Sequence, residues 1–129
     1  MKEKKQVIVI RKDLEMRKGK FVSQGCHASG AFLIDYLLNY QELYADNMFA
    51  ITNLIAWYKG GQTKITVYVK SEQELIELNS QAQDAGILSK LITDAGRTEF
   101  KGIPTLTALA IGPDDVDKVD KITGHLPLL

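Results

Sequence analysis

The chain has 129 residues, 45% of them hydrophobic and 25% charged, with a formal net charge of zero. That length suits one domain, residues 1–129, able to bury roughly two-thirds of its unfolded surface, and no apolar run reaches the roughly 18 residues of a membrane-spanning helix. The single cysteine, Cys26, excludes an intramolecular disulfide, and the apolar stretch in MKEKKQVIVI is too short for a signal-peptide core, so a cytoplasmic protein is expected.

The zero net charge conceals an asymmetry. Residues 1–20 carry eight basic groups (Lys2, Lys4, Lys5, Arg11, Lys12, Arg17, Lys18, Lys20) against three acids (Glu3, Asp13, Glu15), a local charge of +5 that the remaining residues balance with −5. Screening in cells acts over about 8 Å, so a polyanion would respond to this patch more than to the total. A solubilising basic terminus is the plain alternative.

QVIVI (6–10) is a short β-branched run, expected as a buried strand. The charged loop RKDLEMRKG follows, with Gly19 marking the start of a helix from about 20 to 39. A second helix is expected from Asp46 or Asn47, as capping residues, to Tyr58 before Gly60-Gly61. TKITVYVK (63–70) alternates as a strand, with Ile65, Val67 and Val69 on one face. Ser71 and Glu74 form a capping-box pattern ahead of a helix that Gly86 ends. ILSKLITD (87–94) and PTLTALAIG (104–112) are the third and fourth strands, the latter with Leu106, Ala108 and Ala110 opposite Thr107, Leu109 and Ile111. Gly112-Pro113-Asp114-Asp115 has the composition of a helix start, and Val116, Val119 and Ile122 give the last helix its apolar stripe up to Gly124. The order β-α-α-β-α-β-β-α calls for a three-layer α/β domain, a four-stranded mixed sheet with helices on both faces.

The chemistry-bearing residues are few. His27 and His125 lie far apart and outside any metal-binding motif, so no metal site is expected. Cys26 reads as a small core residue, since neighbours on a helix point about 100° apart and cannot pair as thiolate and imidazolium. Lys20, Gln24 and His27 share one helix face at i, i+4 and i+7. A lysine in a first turn opposes the helix dipole by roughly 0.3–1 kcal/mol, so this face is either a solvated polar turn or one wall of a site for an anion. TDAGRT (93–98) follows a strand, where ligands collect in α/β sheets. There Asp94 offers a base or a water-orienting acceptor, Arg97 a phosphate donor and Thr98 a hydroxyl, while a plain Asp-capped turn stays open.

In order along the chain, VIVIRKDLEMRKGKFVSQGCHAS, WYKGGQTKITVYVKSEQEL, LITDAGRTEF and TLTALAIGPDDVDKVDKITGHLPLL resemble the motifs of the class II peptidyl-tRNA hydrolases over nearly the whole length. The resemblance implies hydrolysis of the ester between a peptide and the terminal ribose of tRNA, with no cofactor, by a homodimer with no membrane association. Carried over by position, it implies catalytic roles for Lys20, Asp94, Thr98 and Thr107, and substrate-binding roles for Gln24, His27 and Arg97. Arg11, Lys12, Arg17 and Lys18 are candidates for the tRNA backbone. Departures from the family pattern fall at Val22-Ser23, at Gly25-Cys26, at Pro104 before the last strand, and at Glu99, where a glutamine is common. The alternative is a relative that binds tRNA or a protein without hydrolysis.

Overall fold

The β-branched runs VIVI and ITVYV lie side by side as parallel strands, and the other elements are built onto them. The structure, a computed structural model, describes residues 2–38 and 48–129. Its elements are β1 (Lys4–Arg11), α1 (Lys18–Leu38), α2 (Met48–Lys59), β2 (Lys64–Val69), α3 (Glu72–Asp84), β3 (Ser89–Asp94), β4 (Thr105–Asp115) and α4 (Val116–Thr123). The sheet order is β2-β1-β4-β3, with β1 parallel to β2 and β4 antiparallel to both of its neighbours. This is the expected three-layer α/β fold. The proposed caps Asp46 and Asn47 lie outside the described residues.

The two central strands are apolar on both faces because each face is covered. Val7, Val9, Leu109 and Ile111, with Val67 and Val69, pack against Leu75, Leu78 and Ala82 of α3 and Val119 and Ile122 of α4. Ile8, Ile10, Ala108, Ala110 and Ile92 face the other way, against Met16 and Ala28, with Phe21 and Ala31 alongside. Buried Gln6 ties this second layer to the sheet: it accepts from the Ser29 hydroxyl at 2.7 Å and donates to the Ser29 carbonyl at 3.3 Å. Ser71 caps α3 by accepting from the Glu74 N–H at 3.2 Å, as the capping box predicts. The C-terminal residues cover the open edge of β2, through Leu129 N–H to Thr66 and Tyr68 N–H to Pro127.

Three local expectations are corrected. Helix α1 begins at Lys18, so Gly19 lies inside its first turn. The last helix, α4, starts at Val116 with Asp115 as its N-cap residue, at the end of the segment Gly112–Asp115 and not within it, and the segment itself continues β4. There β4 bulges against β1, pairing Asp114 with Lys5 and Ile111 with Val7. Gly112 makes this possible, with φ at +91° and a space where a Cβ would stand 2.6 Å from the Lys5 carbonyl oxygen. Cys26 is exposed, not core. Helix α1 buries Gln24, Ala28 and Phe32, one residue per turn, and a position two residues from such a line points about 200° around the helix. For the same reason Val22, Leu33, Ile34, Leu37 and Leu38 of this apolar segment are exposed.

No helix among the described residues is long and apolar enough to cross a membrane. Leu109, fully buried between the sheet and the α3/α4 layer, gives a direct check of the core. Leu109→Ala should lower unfolding stability by about 2–5 kcal/mol in denaturant titration.

Candidate active site

The carboxyl ends of β1 and β3, the start of β4 and the N-terminus of α1 meet at one edge of the sheet. Asp94 is the last residue of β3. Its Oδ1 accepts from Lys20 Nζ at 3.0 Å and from Gln24 Nε2 at 3.1 Å, and its Oδ2 accepts from the Gly96 N–H at 2.8 Å. The same carboxylate thus caps the turn and binds the lysine, so the capped-turn geometry does not exclude a site. Gly96 has φ at +80°, and a Cβ there would stand 2.2 Å from the Ile103 carbonyl oxygen. No other residue fits this turn without displacing the loop.

Lys20 Nζ also donates to Thr98 Oγ1 at 2.9 Å and lies 5.5 Å from the centre of the Phe100 ring. An ammonium has three donors, so one N–H of Lys20 has no partner among the described residues. Because Thr98 accepts from the ammonium, its own O–H is left to donate elsewhere. Lys20 and Gln24 sit one turn apart on α1, which brings both to the same carboxylate.

Thr107 reaches this cluster through an irregularity. In the β3–β4 register Ile92 faces Ala108 while Thr93 faces Leu106, so Thr107 is an extra residue on β4. Strict alternation puts it with Leu109 and Ile111 on the α3/α4 side. The bulge turns it toward α1, where its buried hydroxyl donates to Gln24 Oε1 at 2.5 Å. Since the ionised carboxylate only accepts, the Gln24 amide has one satisfactory orientation, NH₂ toward Asp94 and oxygen toward Thr107.

Burial by itself would raise the Asp94 carboxyl. The bonds from Lys20, Gly96 and Gln24, with the charge of Lys20, outweigh it and hold the group below its ordinary value. Asp94 is therefore ionised at neutral pH and is a weak proton acceptor.

Of the predicted residues, Lys20, Gln24, Asp94, Thr98 and Thr107 form one hydrogen-bonded cluster. His27, exposed, lines a cleft of about 530 Å³ with Arg17, Lys20, Ser23, Gln24, Thr98 and Glu99. Arg17 pairs with Glu99 at 2.7 Å. Lys18 and Arg97 are exposed. Lys12 lies over the Tyr68 ring at 4.4 Å from its centre. Arg11 is mostly engaged internally, donating to Asp13 at 2.7 Å and to the Leu106 carbonyl at 2.9 Å. Phe100 and Gly96 were not among the predicted residues; the glycine after Asp94 carried the only sequence signal for either.

A three-layer α/β protein with a charge-paired lysine, a carboxylate and a hydroxyl beside a helix N-terminus is equipped to bind and polarise an anionic or carbonyl-bearing substrate. Residues 4–129 match the family model described as Peptidyl-tRNA hydrolase PTH2, and the chain belongs to that family of enzymes. It is 45% identical over 125 residues to the peptidyl-tRNA hydrolase of Methanocaldococcus jannaschii, covering 97% of this chain and 99% of that protein. The similarity to the peptidyl-tRNA hydrolase of Methanothermobacter thermautotrophicus is 41% with the same coverage, and to that of Thermoplasma acidophilum 36% over 98% of each chain.

The depressed Asp94 pKa sets a pH dependence. The folded value lies below the unfolded value of about 3.9, so the ionised group contributes stability above that pH and loses it as pH falls through the folded value. The destabilisation caused by Asp94→Asn should accordingly shrink on acidification, as read by denaturant titration across pH 2–6. Lys20→Met should move the Asp94 carboxyl upward in an NMR titration.

Proposed function

We propose that this protein hydrolyses the ester joining a peptide to the terminal ribose of tRNA, releasing free tRNA for reuse. Family membership supports the substrate. The observation that carries the mechanism is Lys20 Nζ, fixed by Asp94 and Thr98 with one donor left over at the cleft.

Water attacks the acyl carbonyl carbon, and the carbon–oxygen bond to the ribose breaks as the ribose oxygen takes a proton. The free N–H of Lys20 stabilises the developing oxyanion; a preplaced donor of this kind is worth on the order of 10²–10³ in rate. Asp94 serves less as a strong base than as an acceptor that orients Lys20 and the attacking water, in keeping with its lowered pKa. Thr98, accepting from Lys20, relays a proton through its own O–H. Gln24 and Thr107 hold Asp94 in place, and His27 at the rim contacts the terminal ribose. Lys12, Lys18, Arg17 and Arg97, with Arg11 mostly engaged inside, supply contacts to the tRNA backbone.

We also place the protein in the cytoplasm, where translation supplies this substrate, and as a homodimer. The exposed apolar residues of α1 are a surface suited to association with a second copy.

Lys20→Ala should lower kcat by on the order of 10²–10³; a loss confined to KM would move Lys20 to a binding role. Offered N-acetyl-aminoacyl-tRNA and free aminoacyl-tRNA, the protein should cleave the first and spare the second. Salt-sensitive tRNA binding with no cleavage of either would mark a binding relative instead.

A further inference from the structure

Thr98 is held by a loop that is closed twice. At its neck the Gly102 N–H donates to the Gly96 carbonyl at 2.8 Å and the Ile103 N–H to the Phe100 carbonyl at 2.9 Å. The Phe100 ring packs into the core layer beneath α1. On its outer side, Glu99 Oε1 accepts from Arg17 Nε at 2.7 Å. Arg17 stands immediately before α1, and its carbonyl accepts the helix-opening bond from the Phe21 N–H at 3.1 Å. The bond between Glu99 and Arg17 therefore joins the loop to the helix one residue from Thr98 and three from Lys20.

The two partners are unequal. The Glu99 side chain is 16% exposed and that of Arg17 83% exposed, so the acid is the fixed end of the pair. An ion pair with one arm in solvent adds little to global stability. Any local effect falls on the Lys20–Thr98 hydrogen bond, because the segments that the pair joins supply the two ends of that bond.

We propose that Glu99 is a positioning residue: bonded to Arg17 at the start of α1, it holds Thr98 Oγ1 against Lys20 Nζ and so sets the rate of ester hydrolysis without touching the substrate. This rests on the functional reading above. A displacement of about 1 Å at a reacting group costs on the order of 10²-fold in rate. Glu99→Ala should thus lower kcat by roughly 10- to 100-fold on N-acetyl-aminoacyl-tRNA while KM stays within about twofold. Glu99→Gln, which keeps an acceptor for Arg17 Nε, should recover most of that loss. In a Thr98→Val background the Glu99→Ala change should have little further effect, since its route to the chemistry is already cut.

An unchanged kcat with a lower KM in Glu99→Ala would overturn the proposal, showing that the carboxylate merely repels tRNA. Fully multiplicative losses in the double variant would overturn it too, as would a kcat loss matched by loss of folded protein in circular dichroism. A wild-type protein that cleaves no N-blocked aminoacyl-tRNA overturns the functional reading and the rate-setting role with it. An active wild type with an unimpaired Glu99→Ala overturns the positioning role alone.

Discussion

Gln24 lies fully buried between α1 and the sheet, and each end of its carboxamide is satisfied by a different strand, Asp94 of β3 and Thr107 of β4. A buried amide group left without its partner costs about 1–3 kcal/mol, so this side chain fixes both the height of the helix above the sheet and its rotation. Lys20 is one turn back on the same face and inherits that placement. Gln6 and Ser29 form a second buried tie farther along the helix, and the two together pin α1 at the site and beyond it. The lysine–carboxylate pair is therefore built on a rigid helix and two strands, with only Thr98 supplied by a loop.

Electrostatics qualifies the basic N-terminal segment. Five of its eight cations are paired within the fold: Lys4 with Asp115, Lys5 with Asp120, Arg11 with Asp13, Arg17 with Glu99 and Lys20 with Asp94. A polyanion therefore meets less uncompensated charge than the sequence tally implies. On the proposed reading the footprint is modest, formed by Lys12, Lys18 and Arg97 with the guanidinium nitrogens of Arg17 other than the Nε bonded to Glu99, and the salt dependence of binding scales with the number of phosphates neutralised.

The four strands and the three-layer class were legible because period-2 alternation and β-branched runs report burial directly, whereas the order of the strands in the sheet was not. Helical spacing put Lys20 and Gln24 on one face and the turn after β3 offered Asp94 and Thr98, but that the two belong to one cluster was legible only through the family resemblance. Other features depended on tertiary register. Thr107 belongs on the opposite face by alternation and reaches Gln24 only through a bulge that pairing with β3 creates. Pro113 and the two aspartates after it have helix-start chemistry, yet pairing of the aspartates with Lys4 and Lys5 holds them in the sheet, and the helix begins only at Val116, with Asp115 as its N-cap. Cys26 looks like core in an apolar helix until the buried line through Gln24, Ala28 and Phe32 is known. Local propensity cannot distinguish which side of an apolar helix meets the sheet.

The small side chains beneath α1 have a mechanical meaning. Ala28, with no exposure, shares its buried layer with Ala108 and Ala110 among larger apolar neighbours, so small side chains contribute to the surface on which the helix rests. Lys20 projects eight residues away, roughly 12 Å along the axis at about 1.5 Å per residue. The helix is in effect a lever with its fulcrum at Ala28: a tilt of only about 5° would swing the far end by roughly 1 Å, comparable to the tolerance of a hydrogen bond. Crowding that surface by a methylene or two would thus detune Lys20 from Asp94 well before it unfolded the domain.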